Sequence, residues 1–326
     1  MTNKNLKRIV IGLVILVLLV PACAAGYVYF KLGSIYDKEG DESILGTNDY
    51  KMEKGITNIL LCGTDARPGE TSSRTDSMMI LTIDNKNKNL KLTSLARDTY
   101  VSTSEYGDIK LTEANAYGGI NLLIEAIEQN FELDIQDYVI VDFYSFMDIV
   151  NTLGGITVDI KDNEISELNK FIPETYKFNT SNNKGEIKYI KESGVQKING
   201  YQALAYCRIR KGGSGGALER DRRQREVIQG MLDGISELSF IEYPKLVNTI
   251  LPYVKTNMKP NRIIGIGSQV LKMGNLDINQ MEFPITDGVN GRYATVNSKS
   301  VVLFEKSSLK ILHDFIFNNI MYENNK

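Results

Sequence analysis

The chain begins with an apolar stretch that differs from every later segment in being uninterrupted. This stretch covers residues 9–30, contains no charged residue and follows a basic N-terminus. At about 1.5 Å per residue, a helix of this length spans the roughly 30 Å hydrocarbon layer of a membrane. Basic residues before such a helix favour a cytoplasmic N-terminus. The pattern therefore predicts a cytoplasmic tail (residues 1–8), one transmembrane signal anchor (9–30) and an extracellular remainder.

A cleaved signal peptide is the alternative to this anchor. Its apolar stretch would be shorter, roughly 7–15 residues, and would end at small residues such as Ala22–Ala25. The aromatic residues Tyr27, Tyr29 and Phe30 at the outer end of the stretch instead suit a membrane interface. The pattern favours an uncleaved anchor in the cell membrane and leaves cleavage open.

After a polar segment at residues 31–55, expected to be an extracellular linker, strand-like and helix-like patterns alternate. Strands are predicted at residues 59–62, 78–83, 90–95, 139–143, 156–160 and 202–209. Helices are predicted at residues 120–131, 144–153, 219–238, 246–254, 262–273 and 308–318. Residues 175–194 are polar without a clear period and are expected to form an exposed excursion. The alternation predicts the α/β fold class, as a three-layer α/β/α domain with a mixed central sheet over residues 56–322.

Charge, histidine and cysteine counts exclude several kinds of function. With 38 basic and 40 acidic side chains, the chain has no overall attraction to nucleic acid. Its single histidine, His313, lies near the C-terminus, which argues against a Ser-His-Asp triad, a Cys-His pair or a multi-histidine metal site. Cys23, Cys62 and Cys207 do not make a disulfide framework. Cys62 and Cys207 are expected to be buried thiols, although their pairing is left open.

Arginines and carboxylates cluster at the ends of predicted strands, where α/β folds place their sites. Three segments carry them: Asp65 and Arg67 with Arg74 and Asp76; Arg97 with Asp98; and Arg208 and Arg210 with Arg220 and Gln224. The planar fork of arginine suits phosphate, so the clusters predict a phosphorylated ligand. Two aspartates of the first segment, Asp65 and Asp76, could chelate Mg²⁺ on phosphate oxygens or could merely form turns.

The long predicted helix near Glu219 carries an unusual stripe. One face of this helix carries Arg220, Gln224, Val227, Ile228, Met231 and Ile235. The apolar stripe thus continues into Arg220 and Gln224 at the helix N-terminus, an end that attracts anions. The alternative is a solvated basic helix start, because Arg222, Arg223 and Arg225 are expected to include surface residues.

Taken together, these segments resemble the LytR–CpsA–Psr family of bacterial cell-envelope proteins. The resemblance runs from about Asn58 to Ile235 and rests on five ordered motifs. They are Asp65-Ala66-Arg67 with Arg74-Thr75-Asp76-Ser77-Met78-Met79; Ser94-Leu95-Ala96-Arg97-Asp98-Thr99-Tyr100-Val101; Lys110-Leu111-Thr112-Glu113-Ala114 with Tyr117-Gly118-Gly119; Asn151-Thr152-Leu153-Gly154-Gly155-Ile156; and Arg208-Ile209-Arg210 with Arg220 and Arg223-Gln224.

The resemblance implies a membrane-tethered phosphotransferase that uses Mg²⁺. A monomer is expected, but the sequence leaves the oligomeric state open. Its donor would be a glycopolymer on a polyprenyl-pyrophosphate carrier, and the polymer would pass with one phosphate to a peptidoglycan hydroxyl. By motif position, Asp65 and Asp76 would hold the metal. The implied catalytic residues are Arg74, Arg97, Asp98 and Arg220, with Asp98 orienting the arginines. The implied pyrophosphate-binding residues are Arg74, Arg97, Lys110, Arg208, Arg210, Arg220 and Gln224. Apolar helix faces at residues 120–131 and 144–150 could line a tunnel for the prenyl chain, or could pack in the core.

One motif departs from the family pattern. Where the family commonly has Asp-Phe-Gly-Arg, this chain has Ala217-Leu218-Glu219-Arg220, so a candidate base is absent at Ala217. Glu219 or Asp221 could substitute, and the base stays open. Two alternatives therefore accompany the transferase: a non-catalytic polyprenyl-pyrophosphate-binding protein and a lipid pyrophosphatase. The polymer stays open among teichoic acid, capsule and a protein-linked glycan. A role on DNA lacks support, because the sequence has no helix-turn-helix pattern or basic stripe.

Overall fold

The computed structural model describes residues 26–27, 29–37, 50, 53–64, 74–178, 185–209, 216–238, 248, 251, 254–274 and 278–322. The predicted tail and most of the predicted anchor lie outside these residues, as do Asp65, Arg67 and Arg210. Within the described part of the chain, no helix is both long enough and apolar enough to cross a membrane.

The described residues form strands and helices in alternation. The strands are β1 (Ile56–Thr64), β2 (Thr75–Asp84), β3 (Asn89–Leu95), β4 (Tyr100–Thr103), β5 (Gly107–Lys110), β6 (Asp137–Asp142), β7 (Ile156–Ile160), β8 (Gly194–Ile198), β9 (Val254–Thr256), β10 (Ile278–Phe283), β11 (Gly291–Val296) and β12 (Lys299–Phe304). The helices are α1 (Leu111–Phe131), α2 (Phe143–Thr152), α3 (Asp162–Phe178), α4 (Gly200–Arg208), α5 (Gly216–Glu237), α6 (Pro260–Met273) and α7 (Leu309–Asn318).

Six strands form a central sheet in the order β10-β3-β2-β1-β6-β9. Strand β1 lies antiparallel to β2 and parallel to β6, and β10 lies parallel to β3. The predicted mixed sheet is therefore confirmed. Strands β1 and β2 are buried over most of their length, which explains why their sequences are nearly continuous apolar runs. The remaining strands form the hairpins β4–β5, β7–β8 and β11–β12.

Helices cover both faces of the sheet. Leu60 and Ile80 point to one face, where they join a core built with α1 and α7. Ile59 and Ile83 point to the other face and pack with α6. A separate core joins α2, α3, α4 and α5 with the β7–β8 hairpin beside that second face. The α/β class with helices on either side of a mixed sheet agrees with the sequence.

The prediction of a strand at residues 202–209 is wrong, because this segment is helix α4. Asn199 caps the helix: its side chain accepts a hydrogen bond from the Gln202 backbone, and Gln202 accepts one from the Asn199 backbone. This reciprocal capping box, followed by Ala203 and Ala205, favours a helix over the extended form that the aromatic residues suggested. The predicted helix at 246–254 is wrong at its end, since Val254 begins β9, and most of it lies outside the described residues.

The expected excursion at residues 175–194 is partly ordered secondary structure. Residues 175–178 end α3 and residue 194 begins β8, while 179–184 lie outside the described residues. The predicted linker also contacts the domain in its first part. Leu32 and Ile35 are buried with Leu251, and the Asp37 backbone donates to the Thr256 carbonyl at 2.8 Å. Residues 31–37 thereby cover the outer edge of β9.

Helix α1 begins well before the predicted residue 120 and breaks once. Its stripe of Leu123, Ile127 and Phe131 packs in the core as expected. The break occurs at Gly118 and Gly119, where Gly119 has φ 68° and ψ −166°. Only glycine adopts that backbone conformation without strain. The two glycines therefore separate the first turns of α1 from the stripe.

Candidate functional site

An apolar cavity of about 260 Å³ lies between the sheet and helices α2, α4 and α5. Its lining residues include Leu61, Met79, Val139 and Val141 from the sheet, and Phe146, Ile149, Leu204, Ile228, Met231 and Ile235 from the helices. The stripe predicted on the long helix is confirmed, because Ile228, Met231 and Ile235 line this cavity, Val227 packs in the adjacent core, and Gln224 stands at the polar end of the cavity. Of the two helix faces considered for a tunnel, that of α2 lines the cavity and that of α1 packs in the core.

Both described cysteines line this cavity. Cys62 lies on β1 and Cys207 on α4, and both are free thiols. Burial raises the pKa of the Cys62 thiol well above its ordinary value. Burial also raises the pKa of Cys207 to about 12. The expectation of a buried thiol is confirmed for Cys62, whereas Cys207 is partly exposed, and the two sulfurs do not form a disulfide.

Polar groups begin where the cavity reaches the end of β2. The Ser77 hydroxyl donates to the Gln224 side-chain oxygen at 2.8 Å, which joins β2 to α5. One residue earlier, the Asp76 carboxylate accepts a hydrogen bond from Arg97. The Arg97 side chain is 18% exposed, and its Nε is buried without a hydrogen-bond partner among the described residues. Arg97, bound to the residue that precedes Ser77, therefore has donor capacity to spare.

Arg220 joins this polar end from the first turns of α5. Its Nε and Nη2 donate to Asp221 Oδ1 at 3.1 and 2.9 Å, and both side chains are almost fully buried. Asp221 Oδ2 has no hydrogen-bond partner in the part of the chain that is described. Burial raises the pKa of Asp221, although the charges of Arg220, Arg225 and Arg97 act in the opposite direction. Asp221 thus lies among three arginines.

Two charged residues near Asp221, Arg225 and Glu282, were missed by sequence reasoning. Arg225 is buried and donates to Ser94 Oγ at 2.9 Å and to Gln280 Oε1 at 3.2 Å. Glu282, on β10, lies near Asp221, Arg225 and Arg220, and burial raises its pKa to about 8. A signal existed in the alternation of Gln280 and Glu282 with apolar neighbours, which places both polar side chains on one face of the strand. We call Arg97, Arg220, Asp221, Arg225 and Glu282 the buried charge cluster.

The pKa of Glu282 predicts a pH-dependent cost to stability. The raised value means that the folded protein holds a proton which the unfolded chain releases above its ordinary pKa of 4.5. The contribution of Glu282 to the stability of the wild type is therefore fully present below pH 4.5 and is lost as the pH rises through about 8. Glu282→Gln does not titrate, so its melting temperature should rise relative to wild type between about pH 5 and about pH 9. Thermal unfolding at both values tests this.

Glu305→Gln is the matched control for that measurement. Glu305 is also a carboxylate paired with an arginine, Arg292, but its side chain is 52% exposed. The melting temperature of Glu305→Gln relative to wild type should be the same at the two pH values. A Glu282→Gln curve that runs parallel to the control would contradict the assignment of the titration to Glu282.

A second group of charges lies beside the first. Lys110 donates to Asp98 Oδ1 at 2.8 Å, so the partner of Asp98 is a lysine and not one of the expected arginines. Arg74 is 59% exposed, with its Nη2 4.0 Å from Glu113 Oε1. Glu113 also binds Lys299 at 3.1 and 3.3 Å. Burial opposes ionisation of Glu113, but Lys299 and the Lys110 backbone hold its pKa below its ordinary value.

Other arginines of the motifs have different surroundings. Arg208 pairs with Glu174 at 3.1 Å, lies over the Phe171 ring and has a buried Nη1 without a partner among the described residues. Arg223 is 1% exposed and binds Glu164 at 2.7 Å and the Ile209 carbonyl at 3.1 Å. The expectation of surface positions is therefore wrong for Arg223 and Arg225, because carboxylate and amide partners allow their burial.

The described residues contain no group of three or more His, Cys, Asp or Glu side chains that could hold a metal ion. Asp76 nevertheless fits Mg²⁺ in kind: it is a carboxylate, 28% exposed, at the edge of the buried charge cluster. Mg²⁺ commonly takes one or two carboxylates together with ligand phosphates and water. The single histidine lies on α7, where its Nε2 contacts the Phe131 carbonyl at 2.9 Å.

Comparison with known proteins gives consistent matches. The LytR_cpsA_psr family model matches residues 27–310. Bacillus subtilis TagT, a polyisoprenyl-teichoic acid–peptidoglycan teichoic acid transferase, is 28% identical over 289 residues, which are 85% of this chain and 85% of TagT. TagV of the same organism, with the same description, is 32% identical over 272 residues, 79% of this chain and 65% of TagV. Bacillus anthracis TagU is 34% identical over 228 residues, 69% of this chain and 68% of TagU.

Solved structures match the same region of the chain. A structure of TagT with bound octaprenyl pyrophosphate lipid has a TM-score of 0.62 at 23% identity and covers 87% of this chain and 98% of its own. A TagT structure bound to LI-WTA has a TM-score of 0.65 at 24% identity, with the same coverage. The crystal structure of B. subtilis TagV has a TM-score of 0.61 at 26% identity and covers 83% of this chain and 100% of TagV.

Proposed function

The chain belongs to the LytR–CpsA–Psr family, and from this premise we propose that it is a phosphotransferase of cell-wall assembly. It transfers a glycopolymer with one phosphate from a polyprenyl-pyrophosphate carrier to a hydroxyl of peptidoglycan. One observation carries the proposal: an apolar cavity suited to a prenyl chain ends at Ser77 and Gln224, beside the Asp76–Arg97 pair. The descriptions of TagT and TagV support a teichoic acid as the polymer.

Different residues bind different parts of the donor. The prenyl chain fills the cavity, and Arg97 and Arg220 bind the pyrophosphate oxygens through their planar forks. Arg74, Lys110, Arg208, Arg210 and Gln224 complete the predicted set around it. Phosphoryl transfer depends mainly on positioning and charge stabilisation, which such donors provide as the leaving phosphate gains charge.

The reaction exchanges one bond to phosphorus for another. The acceptor oxygen bonds to the phosphorus that carries the glycan, and the bond from that phosphorus to the bridging oxygen breaks, so that polyprenyl phosphate leaves. The hydroxyl proton requires a base, and Ala217 lacks the carboxylate that the family commonly has there. Asp221 takes this role in our proposal, because its Oδ2 lies unpartnered within the buried charge cluster. Asp98 then acts through Lys110 and not on the arginines.

The proposal includes a metal, a location and an oligomeric state. Mg²⁺ would be held by Asp76, with Asp65 as the expected second ligand, and it would neutralise phosphate charge during transfer. The domain would face the outside of the cell on an uncleaved anchor at residues 9–30 and would act as a monomer. A carrier that stays in the bilayer gives a reason for such a tether.

Transfer of a labelled polyprenyl-pyrophosphate saccharide to peptidoglycan oligomers tests the proposal on the full-length protein. We expect Mg²⁺-dependent labelling of the oligomers, and we expect Asp221→Asn to bind the lipid while losing transfer. Lipid binding without any turnover would favour the non-catalytic binding protein, which the missing carboxylate at Ala217 also suggests. Release of the saccharide phosphate to water, with unlabelled oligomers, would identify a pyrophosphatase instead.

A further inference from the structure

Two exposed tyrosines stack on each other, and one of them, Tyr117, lies close to the Lys299 that binds Glu113. Tyr106 lies in the turn of the β4–β5 hairpin and Tyr117 lies in α1 just before its break. Their ring centroids are 5.4 Å apart with an interplanar angle of 28°, and the Tyr106 hydroxyl donates to the Tyr117 carbonyl at 3.3 Å. They remain 43% and 46% exposed. We call this pair the tyrosine platform.

The platform is connected to the candidate site through β2 and α1. Along β2, Met79 lines the cavity, Ser77 marks its polar end and Asp76 binds Arg97. The same strand then reaches α1, because the Thr75 carbonyl accepts a hydrogen bond from Thr112 at 2.8 Å. At about 3.3 Å per residue, the strand covers roughly 10 Å from Ser77 to residue 74. Arg74, at this end of the strand, has its Nη2 4.0 Å from Glu113 Oε1 on α1, the helix that carries Tyr117.

Charged groups border the platform on the side of the site. Glu113 and Tyr117 stand four residues apart on α1 and therefore share a face of the helix. Glu113 holds Lys299, which the β11–β12 hairpin contributes, and Arg74 approaches the same carboxylate. Glu113 raises the pKa of Lys299 through their hydrogen bond, and Tyr117 is close enough to add to that effect. The rings thus lie beside hydrogen-bonding groups of both charges.

This combination suits a sugar better than a lipid. The electron-rich face of an aromatic ring attracts the C–H groups on the apolar face of a pyranose. The hydroxyl groups at the edge of the sugar would meet Lys299 and Glu113. A prenyl chain forms no hydrogen bonds with these charged groups, and the apolar cavity already offers it a separate binding site. The contacts that run from the cavity through Ser77, Asp76 and Arg97 to α1 follow the order of lipid, pyrophosphate and saccharide in the donor.

We propose that the tyrosine platform binds the saccharide of the lipid-linked donor next to its pyrophosphate. The inference rests on the proposed function and goes beyond it by assigning a subsite for the sugar. The donor is preferred over the peptidoglycan acceptor because its saccharide is covalently joined to the group that Arg97 binds. Its position is therefore fixed relative to the platform, whereas that of the acceptor is not.

Two lipids that differ only in their sugar test the platform. The full-length protein is titrated with polyprenyl pyrophosphate and with the same lipid carrying a disaccharide. Wild type should bind the disaccharide lipid more tightly, and Tyr117→Ala should lose roughly tenfold in that affinity, about the worth of one aromatic contact. Affinity for the bare lipid should stay unchanged. Tyr117→Phe keeps the ring and should retain most of the gain.

Tyr189→Ala is the matched control, because Tyr189 is also a 47% exposed tyrosine and lies in the segment between α3 and β8. It should bind both lipids as wild type does. The platform would be overturned if Tyr117→Ala weakened the binding of both lipids equally, or if it weakened neither. It would also be overturned if the variant lost only the binding of peptidoglycan oligomers. Wild type that binds the bare lipid without gaining from the disaccharide overturns only the platform. Wild type that binds neither lipid overturns the proposed function as well.

Discussion

Replacing Arg220 with alanine should lower the rate of glycopolymer transfer by on the order of 10²–10³-fold, the loss typical of removing one preorganised donor. The reason lies in its setting. Arg220 is buried at the start of α5, where its guanidinium is held by Asp221 and stands near Arg225 and Glu282. An arginine fixed in this way needs no reordering when a phosphate gains charge. Transfer of labelled saccharide to peptidoglycan oligomers, with lipid affinity measured separately, gives the readout.

Two further variants make the Arg220 result specific. Arg220→Lys keeps the charge but loses the planar fork, so it should recover only part of the rate. Arg262→Ala removes an arginine from an aspartate at the opposite end of the sheet, where Arg262 binds Asp137 at 2.6 and 3.0 Å. It should transfer as wild type does. If Arg220→Ala transfers within twofold of Arg262→Ala while melting at the wild-type temperature, Arg220 has no part in the reaction.

Replacing Asp84 with alanine should cost about 3–5 kcal/mol of unfolding free energy, as expected when one partner of a buried ion pair is removed. Asp84 and Lys91 are both 0% exposed, and Lys91 Nζ lies 2.7 Å from Asp84 Oδ2. The same ammonium donates to the Ile316 carbonyl at 2.9 Å, which ties α7 to the β2–β3 hairpin. Without Asp84, a charge stays in the core with only a carbonyl to bind it. Urea unfolding at neutral pH measures the loss.

A double variant separates the pair from its surroundings. Asp84→Ala with Lys91→Met buries no charge, so it should recover most of the stability lost by Asp84→Ala alone. Burial opposes ionisation of Asp84, but hydrogen bonds from Asn87 and Lys91 hold its pKa below its ordinary value. The wild-type protein should therefore lose this contribution only as the pH falls below about 4. A double variant no more stable than the single one would contradict the ion-pair explanation.

Local patterns predicted the elements whose burial follows one regular period. The stripe on α5 is an example, because one face of a helix meets both the cavity and the polar end, and the helix periodicity shows that face directly. Helix α4 was misassigned because its aromatic and apolar residues resemble a strand, while the capping box of Asn199 and Gln202 was the stronger signal. Helix α3 was not predicted, since Pro173 and its many charged residues weaken the apolar stripe.

The assembly of the site could not be predicted in the same way. Ser77 and Gln224 are 147 residues apart, and Ser94 and Arg225 are 131 apart. These contacts depend on the order of strands β10, β3 and β2 and on how α5 lies across them, which no local pattern contains. The family resemblance assigned a role to Arg220, which lies in the charge cluster, and none to Arg223, but it did not show that Arg223 holds Glu164 in a structural contact.

The positions of Cys62 and Cys207 give the cavity a built-in chemical reporter. Both residues line the same hollow, Cys62 on the sheet and Cys207 on α4. Because burial keeps both thiols protonated, neither is a ready nucleophile, and alkylation proceeds only as fast as reagent and base enter. A hydrophobic guest that occupies the hollow should slow the modification of the thiols that line it. The rate at which the native thiols are modified therefore reports the fraction of protein molecules whose cavity holds a guest, without an added label.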